Sequence, residues 1–281
     1  MRATPPSVGG KRVMRVAGAP DRSPSAASAT PRTRALSPVA LKIAAGFVIM
    51  LAWELVVRTA GPAYIARPST IALAFPEVVS AQPFRTAARA TIGSVMLGLA
   101  IALVTGSVTG LAMGRLRLVD WSLRYHVSFL YAVPMVAILP LMTLWFGYSG
   151  GARLATVVFA AFLTITISVR DGAKAVPPDL LEVARSFRAR WYHVLFGITL
   201  LTSLPYLFAG IRLAAGRALV AAVVAEFFIA IDGLGYYILF NSRTYRHDRA
   251  FVAVIVLAVV AVGVEYGMKS LTRRFMRWND R

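Results

Sequence analysis

The chain has 281 residues, 58% of them hydrophobic and only 15% charged, with a formal net charge of +19. Soluble domains carry about 25% charge, and the apolar residues here gather into runs long enough for the roughly 20 helical residues that cross a bilayer. The positive residues lie between and beside those runs and form no face or stripe, which argues against a nucleic-acid partner and for flanked membrane helices; the lack of cysteine excludes disulfides, thiolate metal sites and a Cys nucleophile.

Residues 1–38 hold six prolines (Pro5, Pro6, Pro20, Pro24, Pro31 and Pro38), many Ser and Ala, and seven Arg or Lys. With no apolar run to offset chain entropy, this segment reads as a disordered basic tail. Val13 to Ala19 does not supply the apolar stretch of a secretory signal.

Residues 39–281 then read as one membrane domain with six apolar runs. Val39–Val57 is the first, with Lys42 and Glu54 placed to reach the interface. Ala90–Gly114 has no charge and carries Gly98, Ala102, Gly106 and Gly110 at four-residue spacing, which lets helix backbones approach closely. Tyr125–Tyr148 is interrupted by Pro134 and Pro140, which should bend it. Leu154–Val169 is short, and Arg153 and Arg170 are placed to snorkel at its ends. Tyr206–Ile231 contains Arg212, Arg217 and Glu226, and Phe251–Met268 closes the series with Glu265 near its end. If the N-terminus is cytoplasmic, the inner segments carry twenty Lys and Arg against eight outside. The expectation is therefore an all-α integral membrane protein of about six transmembrane helices, with both termini inside.

The connection from residue 171 to 205 is the long cytoplasmic one. Pro177 and Pro178 stop the preceding helix. Asp179 followed by Glu182 has the spacing of a capping box. Leu180, Val183, Ala184 and Phe187 then fall at i, i+3, i+4 and i+7, the apolar stripe of a short amphipathic helix. Arg185, Arg188 and Arg190 supply positive charge toward its C-terminus. Such a stripe needs a groove on a partner or the membrane interface to bury it.

The stretch LLEVARSFRARWYHVLFGITLLTSLP resembles the EAA loop of the permeases of binding-protein-dependent ABC importers, with Glu182-Val183-Ala184 at its start and Leu204-Pro205 at its end. The segments RPSTI, PLMTLWFG, GIRLAAGRAL, VVAEFF and DGLGYYI are most similar to the nitrate, sulfonate and taurine branch, from about Arg67 onward. The departure is Arg188, which stands where that family has Gly and forgoes the positive φ that Gly allows. The resemblance implies that the helix at 179–188 docks in a cleft of a separate ATPase. Leu180, Val183, Ala184 and Phe187 would then form the buried contact, with Glu182 and Arg185 at its rim. It also implies a second permease copy, an extracytoplasmic solute-binding protein, a bacterial inner-membrane location and no cofactor. The solute would be a sulfonate, taurine, nitrate or a thiamine precursor.

Four further residues are candidates for the translocation pathway. Glu226 needs a partner on another helix or a water-filled path, unless its helix ends early and leaves it interfacial. Arg217 is nine residues away, about 13 Å along one helix and too far to pair with it. Pro134 and Pro140 either line the pore or only shape packing. Gly235, with Gly233 and Tyr236, marks a tight turn or the outer mouth. His126, His193 and His247 are far apart and lack metal-ligand spacing, and Gly10-Lys11 is followed by Arg12, so no phosphate-binding loop is present. Energy must come from a partner. An ion-coupled secondary transporter would instead show inverted repeats and intramembrane ionisable relays, and neither is clear.

Overall fold

The computed structural model describes residues 38–62 and 65–275, so the expected basic tail, residues 1–38, lies outside it except for Pro38. The chain parts after Val48 into two units. Of the first, the described residues are the opening turns of helix α1 (Pro38–Thr59). That helix exposes Ile43, Phe47, Ile49, Leu51, Leu55 and Val56, as a lipid-facing helix does, and near its end turns Trp53, Glu54 and the buried Val57 inward.

In the second unit the remaining elements are all helical among the described residues. They are α2 (Pro68–Ser80), α3 (Gln82–Arg115), α4 (Arg117–Ala132), α5 (Met135–Phe146), α6 (Gly150–Lys174), α7 (Pro178–Ser186), α8 (Trp191–His193), a π-helical turn (Val194–Thr199), α9 (Leu200–Ile229), α10 (Leu234–Arg243) and α11 (His247–Phe275). Four stretches among the described residues are long and apolar enough to cross a membrane: Gln82–Arg115, Gly150–Lys174, Trp191–Ile229 and His247–Arg274.

The run expected as a single bent third crossing is two helices. α4 and α5 meet at 105°, as a broken span or a re-entrant loop. The break falls at Val133-Pro134 because proline drives the residue before it out of the helical region, and Val133 has ψ of 129°. Pro140 sits inside α5 without ending it. Two short helices, α2 and α10, were not anticipated, since neither carries a run of crossing length. The start of α2 is held by Glu54 of α1, which accepts from the Ser69 amide at 3.1 Å and the Ser69 hydroxyl at 2.8 Å.

The packing centre is α3 against α6 and α6 against α9. The small residues of α3 face α6: a Cβ added at Gly98 would stand 2.5 Å from Val157 Cγ1, and one at Gly110 would stand 2.7 Å from the Thr166 carbonyl oxygen. The partner face of α9 is a strip of buried alanines, Ala214, Ala218, Ala221, Ala222 and Ala225. Lacking side chains to interpose, the three backbones approach closely, the packing that replaces hydrophobic drive in lipid.

Candidate functional site

Helix α7 begins only three residues after α6 ends at Lys174. Its start differs from the expectation: Pro177 occupies the N-cap position, Pro178 begins the helix, and no side chain caps it. Proline's fixed φ suits that first position, so Asp179 is drawn into the first turn, where a carboxylate still favours the helix dipole. No capping box forms, and Glu182 is exposed.

The end of α7 explains the departure at Arg188. The Ala189 amide donates to the Ala184 carbonyl at 2.9 Å, and the Arg188 amide donates to the Arg185 carbonyl at 2.9 Å. These are the two bonds of a Schellman motif, whose C′ residue is left-handed. Arg188 occupies that position with φ of +48°. The turn that glycine would make is thus kept, with arginine in a conformation that costs an L-residue roughly 1–2 kcal/mol.

Of the residues expected on the docking stripe, Ala184 is buried and the rest are outward. Leu180, Val183 and Phe187 are 45%, 54% and 82% exposed, and Arg185 is exposed beside them. α7 packs on the π-helical turn before α9.

Glu226 lies in the last turn of α9 and is 0% exposed. Its carboxylate accepts from the Thr91 hydroxyl of α3 at 2.7 Å, the Gly235 amide of α10 at 2.7 Å, and Arg153 Nη1 of α6 at 3.1 Å. Arg153 donates again to the Asp232 carbonyl, and the Leu234 amide donates to Thr91 Oγ1 at 2.8 Å. One carboxylate therefore fastens α3, α6 and the α9–α10 turn together. Gly233 is required by proximity: a Cβ there would stand 2.1 Å from Glu226 Cδ. Arg153, expected to snorkel, is instead turned inward and only 8% exposed. Arg170 is likewise held, with Lys174, on Asp120 of α4, the lysine at 2.7 Å.

Residues 98–277, more than half the chain, match the family described as binding-protein-dependent transport system inner membrane component. The chain belongs to this family. The permease is 26% identical over 235 residues to SsuC of Bacillus subtilis, a protein named for aliphatic sulfonate transport, covering 83% of this chain and 85% of that one. It is 27% identical over 248 residues to the taurine transport system permease protein TauC of Escherichia coli, covering 86% and 90%. The formylaminopyrimidine transport permease protein ThiX of Halalkalibacterium halodurans is 26% identical over 235 residues, covering 83% and 94%. Among solved structures, a bacterial ABC transporter involved in the import of alginate superposes with a TM-score of 0.61 at 15% identity, covering 81% of this chain and 89% of that one. The fold is that of ABC importer membrane subunits.

Within the permease the remaining candidates are dispersed. Pro134 and Pro140 are exposed at the start of α5 and within it and take no part in the Glu226 hydrogen bonds, whereas Gly235 belongs to that cluster through its amide. Gly233 and Tyr236 line a cavity of about 510 Å³ with Asp232, Arg246 and Arg249. Thr91 and the Arg153–Glu226 pair escaped sequence reasoning. They lie 135 and 73 residues from Glu226 in sequence, and no local pattern links such positions. The available signal was that a carboxylate within an apolar run calls for a partner on another helix or for water.

Proposed function

We propose that the permease forms the translocation pathway of an ATP-driven importer for a small sulfonate-type solute, driven by a separate ATPase that grips α7. Family membership gives the importer role. The names of SsuC and TauC support the solute class, while ThiX keeps a pyrimidine solute as the competing one.

The observation that carries the coupling role is the outward apolar surface of Leu180, Val183 and Phe187 on a helix fixed at both ends. Such a surface sits beside the end of a membrane-length helix and is built to be covered. Glu182 and Arg185 flank it as polar rim contacts. On this reading α7 and both termini face the cytoplasm, six crossings are made by α1, α3, α4 with α5, α6, α9 and α11, and a second copy completes the pathway. The lipid bilayer is that of the bacterial inner membrane. An extracytoplasmic binding protein delivers the solute.

The test is the double variant Val183→Glu with Phe187→Glu. The ATPase subunit should no longer co-purify with it, while its yield in the membrane stays that of the unaltered chain. Retained co-purification, or a labelling map that puts α7 outside the cell, would overturn the coupling role.

A further inference from the structure

Arg217 lies twelve residues from the end of α9 at Ile229. By helical rise this is about 18 Å, so with Ile229 at the outer surface of a hydrocarbon core of about 30 Å the residue stands near its middle. A cation at that depth is costly unless it meets an anion or water. Yet Arg217 enters no ion pair among the described residues.

Its neighbour is an aromatic face. The guanidinium carbon stands 4.0 Å from the centroid of the Tyr131 ring at the end of α4. Together they line a cavity of about 360 Å³ with Leu130, Met135, Phe159 and Val220, within the size range of small-molecule sites. Stacking on the ring holds one plane of the guanidinium and leaves its N–H edge free, the edge whose fork matches an oxyanion.

A second copy of the chain does not supply the missing counter-charge. Among the described residues, the one acid buried in α3, α6 or α9 is Glu226, and it is engaged by Arg153. Glu54, Asp120 and Glu265 are held by Arg58, by Arg170 with Lys174, and by Lys269. Asp171 and Asp248 stand in the last turn of α6 and the first turn of α11, and Asp179 and Glu182 in α7 outside the spans. A charge that no protein carboxylate answers, in a solute-sized apolar cavity beside the α4–α5 elbow, needs an anion in transit.

Resting on the importer reading above, we propose that Arg217, braced by Tyr131, is the mid-membrane contact for an anionic solute, with an organic sulfonate as the class. Arg217 receives the sulfonate oxygens on its N–H edge, and the apolar wall of Leu130, Met135, Phe159 and Val220 takes the alkyl part. A neutral sulfone of the same shape accepts weaker hydrogen bonds there and leaves the cation's charge unanswered.

Two measurements test this on the complete transporter with its ATPase and binding protein. In the first, phenylglyoxal modification of Arg217 is followed by mass spectrometry with ethanesulfonate or diethyl sulfone present. The sulfonate should protect Arg217 and the neutral sulfone should not. In the second, ethanesulfonate and taurine uptake into proteoliposomes is compared between variants. Losing a charge-assisted contact should lower uptake by about tenfold or more in Arg217→Gln. Arg217→Lys, which keeps the charge but neither the fork nor the stacking, should retain only part of it, Tyr131→Phe should keep most of it, and all variants should co-purify with the ATPase. Equal modification with and without the sulfonate, or Arg217→Gln uptake equal to the unaltered transporter, overturns the proposal. Failure of the unaltered chain to assemble with an ATPase would instead defeat the importer reading, and the protection experiment still judges Arg217 by itself.

Discussion

Replacing Glu226 by Ala removes the one carboxylate shared by α3, α6 and the α9–α10 turn. Three donors lose a bond to it: Arg153 Nη1, the Gly235 amide and the Thr91 hydroxyl, which can turn to the Ala87 carbonyl at 3.2 Å. Arg153 is nearly buried and keeps only its bond to the Asp232 carbonyl, so most of the cost is an uncompensated charge. Breaking a buried pair from one side costs about 3–5 kcal/mol, a large fraction of the roughly 5–15 kcal/mol that holds a typical fold. For a chain of this size that corresponds to a melting temperature lower by about 6–20 °C, read by a thermal fluorescence assay in detergent. A mutant cycle separates pair from packing. Arg153→Leu combined with Glu226→Leu should recover part of the loss, because an apolar pair leaves no buried charge. Melting of Glu226→Ala within a degree of the unaltered chain, or strict additivity in the cycle, would refute the account of Glu226 as a clamp.

Other outcomes follow from close approach and backbone conformation. Gly110→Leu should destabilise by about 1–3 kcal/mol or more, since its first side-chain atom already meets the Thr166 carbonyl and Val169. Gly263→Ala, with nothing within 4 Å, should be neutral or gain up to about 1 kcal/mol from helix propensity; the same melting assay ranks the two, and equal effects would refute the α3–α6 packing. Arg188→Gly relieves a left-handed arginine and should stabilise the α7 turn by about 1 kcal/mol, seen as slower hydrogen exchange at the Ala189 amide. Faster exchange there would mean that the arginine side chain, and not the Schellman turn, holds the loop.

How much of this was legible depended on whether the signal was local. The four-residue spacing of Gly98, Ala102, Gly106 and Gly110 announced a close helix contact, and α6 meets all four positions. The apolar stripe of α7 was likewise written at i, i+3 and i+7. Its N-terminus was misread because Asp179 and Glu182 satisfy a capping pattern that Pro178, one residue earlier, pre-empts. Arg188 was misjudged for a related reason. A rule that reserves positive φ for glycine is statistical, and two backbone hydrogen bonds outweigh a strain of about 1–2 kcal/mol. The ion pairs were invisible because their partners are brought together only by helix packing. Arg153 and Arg170 looked like snorkelling ends when each in fact has a carboxylate on another helix.

Those two pairs bear on how a push on α7 could reach the pathway. α6 is fastened at one end by Arg153 to Glu226, and at the other by Arg170 and Lys174 to Asp120 of α4. Between its ends it lies against the glycines of α3 and the alanines of α9, where there is no side chain free to repack. Close-packed interfaces of this kind resist continuous deformation and move as bodies. Because only three residues separate α6 from α7, a displacement of α7 is delivered to a helix that cannot bend away from its neighbours. Asp120 then passes it to α4, and α4 carries Tyr131 at its far end, opposite Arg217. The proposed motor contact and the proposed solute contact are thus linked through α6, by its packing on α9 and by the Asp120 carboxylate of α4.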